Sequence, residues 1–172
     1  MIENTEVNKI SDLKKCYLSN YASTGNTFFL SLLDGHEEVL NLPGYVDLSF
    51  CFENKKSFSE YLKEFNFFNP YFFDTSKMTQ SIKNHQGLST LGENKNQGII
   101  INKDKFELYY YIFSKDLELN IKNIIFSIYY AYAKAIDKNI LKLKALIIYP
   151  YDHSRTISLI KYLKDDHVIV FI

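Results

Sequence analysis

Lys15-Cys16-Tyr17-Leu18-Ser19-Asn20-Tyr21 runs into Ala22-Ser23-Thr24-Gly25-Asn26-Thr27, then into Phe28-Phe29-Leu30-Ser31-Leu32-Leu33. Asp34-Gly35-His36 closes that run, and Val39-Leu40-Asn41-Leu42 follows before Pro43-Gly44. The first segment alternates and is compatible with a strand, and the second is a small-residue turn. The third predicts a short buried helix, with Gly35 as the C′ residue because glycine adopts positive φ cheaply. The fourth predicts a short strand stopped by proline. Strand, small-residue loop, helix, strand is the start of a βαβ unit and predicts a parallel sheet with helices on its faces.

The rest of the chain extends that rhythm. Residues 1–13 read as a polar lead-in, leaving 14–172 as a single α/β domain. Ser57 to Phe65 predicts a helix with Ser57 as N-cap and Glu60 completing a capping box. Asn66 to Gly98 reads as a long irregular segment, aromatic at first and polar later. Lys103 to Ser114 predicts a helix. Asn120 to Asp137 predicts another, with Ile121, Ile124, Ile125, Ile128, Tyr132 and Ile136 spaced for one buried face. Lys144 to Tyr149 is a near-continuous apolar run, as expected of a strand covered on both faces. Pro150-Tyr151-Asp152 breaks it, Ser154 to Leu163 predicts a helix, and His167 to Ile172 predicts a second buried strand.

Composition narrows the function classes. The chain has 172 residues and no net formal charge, with 20 basic residues against 20 acidic ones. That length supports a core burying about 70% of the surface the unfolded chain exposes. Hydrophobic residues are 47% and charged residues 23%, a globular mix. Balanced charge argues against a nucleic-acid partner and a polybasic membrane binder. Arg155 is the only arginine, so a phosphate site must otherwise use lysine, backbone N–H groups and hydroxyls. Cys16 and Cys51 read as reduced core residues rather than a disulfide framework or zinc site. The most apolar stretch, Ile124 to Ile136, contains Lys134 and is shorter than the roughly 20 residues of a membrane helix. The leading residues carry no apolar signal-peptide core, so a cytoplasmic protein with no membrane span is the expectation.

The small-residue turn is the strongest local signal for chemistry. A tight turn at a helix start aims backbone N–H groups at one spot, and the helix dipole adds partial positive charge. Gly25 permits close backbone approach, while Thr24 and Thr27 add hydroxyl donors. On spacing alone two readings stand open: a phosphate or sulfate cradle, or a capped turn with no ligand. The segment is neither a Walker A motif nor a Gly-x-Gly-x-x-Gly turn.

Over Ser23 to Gly44 the sequence resembles the opening of the sulfotransferase family. Bacterial members begin with a basic residue and Ser-Gly-Ser/Thr-Ser/Thr, followed by a Leu-Leu-Asp-x-His-Pro helix and turn and a strand ending in proline. Leu88 to Glu93, Ile101 to Phe106, Tyr130 to Ala133 and the strand before His153 are similar to interior segments of the same group. The resemblance covers most of residues 14–172. It implies a three-layer P-loop-like α/β fold, with a mostly parallel central sheet flanked by helices. It also implies that 3′-phosphoadenosine 5′-phosphosulfate is the sulfuryl donor and that no metal is needed. Ser23, Thr24, Gly25, Asn26 and Thr27 would bind the donor's phosphosulfate.

Three positions depart from the family pattern. Ser23 stands where the family carries Lys or Arg, an electrostatic donor of a kind worth on the order of 10²–10³ in rate. Glu37 replaces a turn proline. The strand at His167 to Ile172 would run into an Arg-Asp/Asn-Pro turn in the family, so the resemblance implies a domain incomplete at its carboxyl end.

His153 follows a predicted parallel strand at its carboxyl end, where open α/β sheets bind ligands. With Asp152, Ser154 and Arg155 beside it, it is the candidate base for taking the acceptor's proton. The competing reading has Asp152 and Ser154 capping the next helix and His153 solvated. His36 reads as a turn residue, and His85 and His167 have no identifiable partner. Phe65, Phe67, Phe68, Tyr71, Phe72 and Phe73 are either core or the wall of an acceptor pocket. Carbohydrate, lipid and other small-molecule acceptors are all open, and an unfinished sheet edge admits a homo-oligomer. Two alternative functions also stand: a noncatalytic nucleotide- or partner-binding protein, and a small phosphotransferase.

Overall fold

A computed structural model of the chain describes residues 4–19, 30, 32–33, 35–43, 46–81, 100–149, 153–163 and 167–171. Five helices and an all-parallel sheet make up this part. The strands are β1 (Lys14–Ser19), β2 (Val39–Asn41), β3 (Ala145–Ile148) and β4 (His167–Phe171). The helices are α1 (Asn4–Asp12), α2 (Phe58–Phe68), α3 (Lys103–Ser114), α4 (Ile121–Ala135) and α5 (His153–Leu163). The sheet order is β2-β3-β1-β4. Tyr17 pairs with Ile148 across β1 and β3, Asn41 with Ile147 across β2 and β3, and Ser19 with Phe171 across β1 and β4.

Alternation along the strands splits their side chains between two clusters. Tyr17, Leu40, Leu146 and Ile148 face the main core, together with α4 and Leu159 of α5. Leu18 and Ile147 face a smaller cluster with Leu30, and Cys16, Leu33, Val39 and Tyr149 pack around it. The sheet therefore carries apolar packing on both faces, which is why β3 reads as an unbroken apolar run: Leu146 and Ile148 are fully buried and Ile147 nearly so.

Helix ends follow their sequence signals closely. The Ser57 hydroxyl accepts from the Glu60 N–H at 3.2 Å. The Glu60 carboxylate accepts from the Lys56 N–H at 2.9 Å, one residue outside the usual box partner. Asn102 caps α3 through the Lys105 N–H, and Asn120 caps α4 through the Asn123 N–H, both at 2.9 Å. Gly35 has φ +75°, as expected of a C′ glycine. Asp137 does the same at the end of α4 with φ 56°. There the Lys138 N–H donates to the Ala133 carbonyl at 2.8 Å and the Asp137 N–H to the Lys134 carbonyl at 3.3 Å, a Schellman closure.

Three elements differ from expectation. Residues 4–12, read as part of a polar lead-in, form α1, with Ile10 and the following Leu13 buried in the main core. Glu6 on α1 accepts from the Lys134 ammonium at 3.1 Å and the Tyr130 hydroxyl at 3.3 Å. Lys15 donates to the Ser11 carbonyl in its last turn at 2.7 Å. A helix with few apolar residues is easily missed when two of them do the anchoring. Helix α4 is buried continuously from Ile124 to Ala133 rather than on one face, whereas Ile136 lies beyond it and is exposed. A helix apolar all round belongs between layers. Finally, part of the supposed irregular segment is ordered: α2 runs on to Phe68, Asn69 is bonded to Asp47, and Asp74 caps a short 3-10 turn.

The aromatic run from Phe65 divides accordingly. Phe65 and Phe72 are fully buried with Phe106, their ring centroids 4.8 to 5.4 Å apart, while Phe67 is exposed. Those buried rings are core. In the Tyr109-Tyr110-Tyr111 run, Tyr110 is buried and Tyr111 faces out.

Candidate functional site

The sheet order creates a switch point between β1 and β3. The chain leaves β1 and returns two positions away as β2. It leaves β3 in the opposite direction and returns beyond β1 as β4. Leu30, on the connection from β1 to β2, packs in the small cluster on one face. Leu159 of α5, on the connection from β3 to β4, packs in the main core on the other. Adjacent parallel strands whose connections depart over opposite faces leave a crevice outside their carboxyl ends, where open α/β sheets bind ligands.

Both sequence candidates attach to those two strands. The chain leaves β1 at Ser19, just ahead of Ser23, Thr24, Gly25, Asn26 and Thr27, and those five lie outside the described residues. His153 is the first residue of α5, just past the end of β3 at Ile148. Its backbone is described and its side chain is not. Ser154 sits inside the first turn of α5 rather than before it, so it is not the residue preceding the helix. Asp152 and His85 lie outside the described residues. His36 accepts from the Glu38 N–H through Nδ1 at 3.2 Å, a turn contact, and the expected turn role accounts for it. His167 opens β4 opposite Lys15, at the far end of the sheet from the crevice.

Asn41, a residue the sequence reading passed over, lies at the same edge. It ends β2, is 7% exposed, and lies between buried Leu40 and Leu42. The one available sequence signal was a polar side chain inside the apolar run Val39-Leu40-Asn41-Leu42.

Burial holds several titratable groups near the sheet in their neutral forms. Burial pushes Tyr129 far above the usual phenol range, and its hydroxyl donates to the Ile147 carbonyl at 2.6 Å. Burial likewise raises the Cys51 thiol, with Asp47 adding to the effect. Cys16 is raised by burial too. These groups stay neutral at ordinary pH, so neither thiol carries the low-pKa character of a nucleophile. Among the described residues no group of three or more His, Cys, Asp or Glu could hold a metal ion. No helix among them is long and apolar enough to cross a membrane.

Comparison with known protein families, curated proteins and solved structures gave no match to this chain.

Proposed function

We propose that this protein is a sulfotransferase-like enzyme of P-loop-like architecture. It would transfer a sulfuryl group from 3′-phosphoadenosine 5′-phosphosulfate to a hydroxyl or amine acceptor. The observation that carries the reading is the switch point. The loop after β1 and the start of α5 after β3 attach to neighbouring strands at their carboxyl ends. Ser23, Thr24, Gly25, Asn26 and Thr27 are assigned to hold the phosphosulfate through backbone N–H groups and hydroxyls. The donor supplies the sulfuryl group, and His153 is assigned to accept the proton that the acceptor loses. Ser23 in place of a basic residue predicts slow turnover, because an electrostatic donor at the transferring group is missing.

Calorimetric titration with 3′-phosphoadenosine 5′-phosphate tests this directly. Binding, and its loss in Gly25→Val, supports the reading. No heat at millimolar ligand overturns it, and unchanged affinity in Gly25→Val moves the site elsewhere. Binding without any turnover would favour the noncatalytic nucleotide-binding alternative, which the missing basic residue at Ser23 specifically suggests.

A further inference from the structure

Helix α3 carries apolar residues on two sides. Phe106, Tyr110 and Phe113 face the main core, and Tyr109 packs on Tyr130 of α4 with ring centroids 6.1 Å apart. The Asn66 amide of α2 donates to the Glu107 carboxylate at 3.2 Å and marks the side turned toward α2. If solvent were its only neighbour, the remaining side should be polar. Instead it presents Leu108 and Tyr111, 56% and 46% exposed. Three residues apart, they are neighbours along the helix surface. They therefore form a patch rather than scattered single residues.

Charge brackets the patch. Asp104 and Lys115 are exposed, and Asp104, Leu108, Tyr111 and Lys115 follow one another at intervals of four, three and four residues. That is the spacing of a seam between two packed helices. The seam spans about three turns, roughly 17 Å. Acid lies at one end and base at the other. Laid antiparallel on a copy of itself about a two-fold axis, Leu108 meets the partner's Tyr111 and Asp104 meets the partner's Lys115. Both pairs are centred on one point of the helix, midway between Leu108 and Tyr111, so one register satisfies them together. A parallel pairing would set acid beside acid and base beside base, which is unfavourable. Lys115 also approaches the exposed Asp116 carboxylate at 3.7 Å, a surface contact weak enough to be exchanged.

We infer that the outer face of α3 is a self-association surface, pairing two copies of this chain through an antiparallel α3–α3 seam. Leu108 and Tyr111 supply its apolar centre, and the two Asp104–Lys115 pairs at its rim fix direction and register. A single short seam buries less than the roughly 1,200 Å² at which stable interfaces begin, so the dimer is weak, with a dissociation constant above about 1 μM.

Sedimentation velocity on the full chain, from about 1 μM to about 1 mM, reads the association. The expected result is a shift from monomer to dimer as concentration rises. Leu108→Asp, and separately Tyr111→Ser, should each weaken the dimer about tenfold or more. Both should fold as the native chain does, because both positions are exposed. Asp104→Lys and Lys115→Glu should each weaken it about tenfold, because each sets like charges opposite one another at both rim pairs. These two changes oppose the helix dipole, so circular dichroism checks that each variant is folded. Mixing the two variants should restore dimerisation, since every rim pair in the mixed dimer is again of opposite sign. The mixture carries the same helix-end costs as its components, so restoration reports pairing alone. A monomer up to about 1 mM overturns the inference and leaves Leu108 and Tyr111 to a partner of another kind. A dimer unaffected by Leu108→Asp and Tyr111→Ser overturns it by placing the interface elsewhere. A mixture that associates no better than either charge variant alone overturns the antiparallel pairing, and the inference with it.

Discussion

Leu146 and Ile147 are neighbours on β3 that face opposite sides of the sheet, so truncating each in turn measures how well each face is covered. Both side chains are nearly or fully buried. Replacing either by alanine removes three carbon groups, and at about 0.8 kcal/mol each the transfer loss is about 2.4 kcal/mol in both cases. The cavity contribution differs. Leu146 lies in the main core, between α4 and the other strands, where the surroundings are held on all sides. Among the described residues Ile147 packs with two other buried residues and four partly buried ones, neighbours that can move into the gap more freely. Unrelieved cavity adds roughly 24 cal/mol per Å³. Leu146→Ala should therefore cost about 4 kcal/mol and Ile147→Ala about 2.5 to 3 kcal/mol. Urea unfolding at equilibrium, followed by far-ultraviolet circular dichroism, reads both, with the slope against urea checked for constancy. A cost below about 1 kcal/mol for Ile147→Ala would mean the second face is open to water. The connections would then not both be packed against the sheet on opposite faces, and the switch point would be lost.

Four further outcomes are expected. His153→Ala should lower turnover and displace the acid limb of the pH–rate profile; unaltered kinetics would remove the residue from the mechanism. Asp137→Gly should stabilise the protein by about 0.5 kcal/mol, because relief of positive φ slightly outweighs the exposed Lys105 pair it removes; chemical denaturation showing a clear loss would contradict this. A thiol reagent should label Cys16 well before Cys51, whose thiol is buried and pushed up; labelling at equal rates would place Cys51 at the surface. Asp74 is held below its ordinary value, first by the Ser76 hydroxyl and then by the Ser76 N–H. Its folded pKa is depressed, so its capping contribution is full above the ordinary Asp value and fades as the pH falls through the folded one. A carbon-detected titration placing Asp74 at or above the ordinary value would refute that.

Local chemistry made much of the fold legible. Ser57 announced a helix start through a side-chain oxygen placed to accept a free N–H, and Gly35 announced a stop; Asn102 and Asn120 cap α3 and α4 in the same way, as the structure shows. Apolar β3 announced a strand covered twice. Elements whose role is set by distant partners were not legible. Helix α1 is polar apart from a few residues, and it docks through Ile10, Glu6 and Lys15, contacts that exist only once α4 and β1 are in place. The one-faced pattern assigned to α4 failed because a helix between two layers has no solvent side.

The candidate site divides the same way. A small-residue turn between strand and helix, and a histidine after an apolar strand, were visible as two separate motifs. Nothing local related one to the other.

The sequence by itself determined the alternation of strands and helices, the parallel sheet and most helix boundaries, because these depend on periodicity and on side chains reaching their own backbone. The tertiary structure alone decided the order β2-β3-β1-β4 and which face each connection crosses. Those are properties of how strands pair over long separations, and no short segment encodes them. That order brings the carboxyl ends of β1 and β3 side by side, with the end of β2 next to them. The segments that follow β1 and β3 therefore leave the sheet from neighbouring strands at one edge.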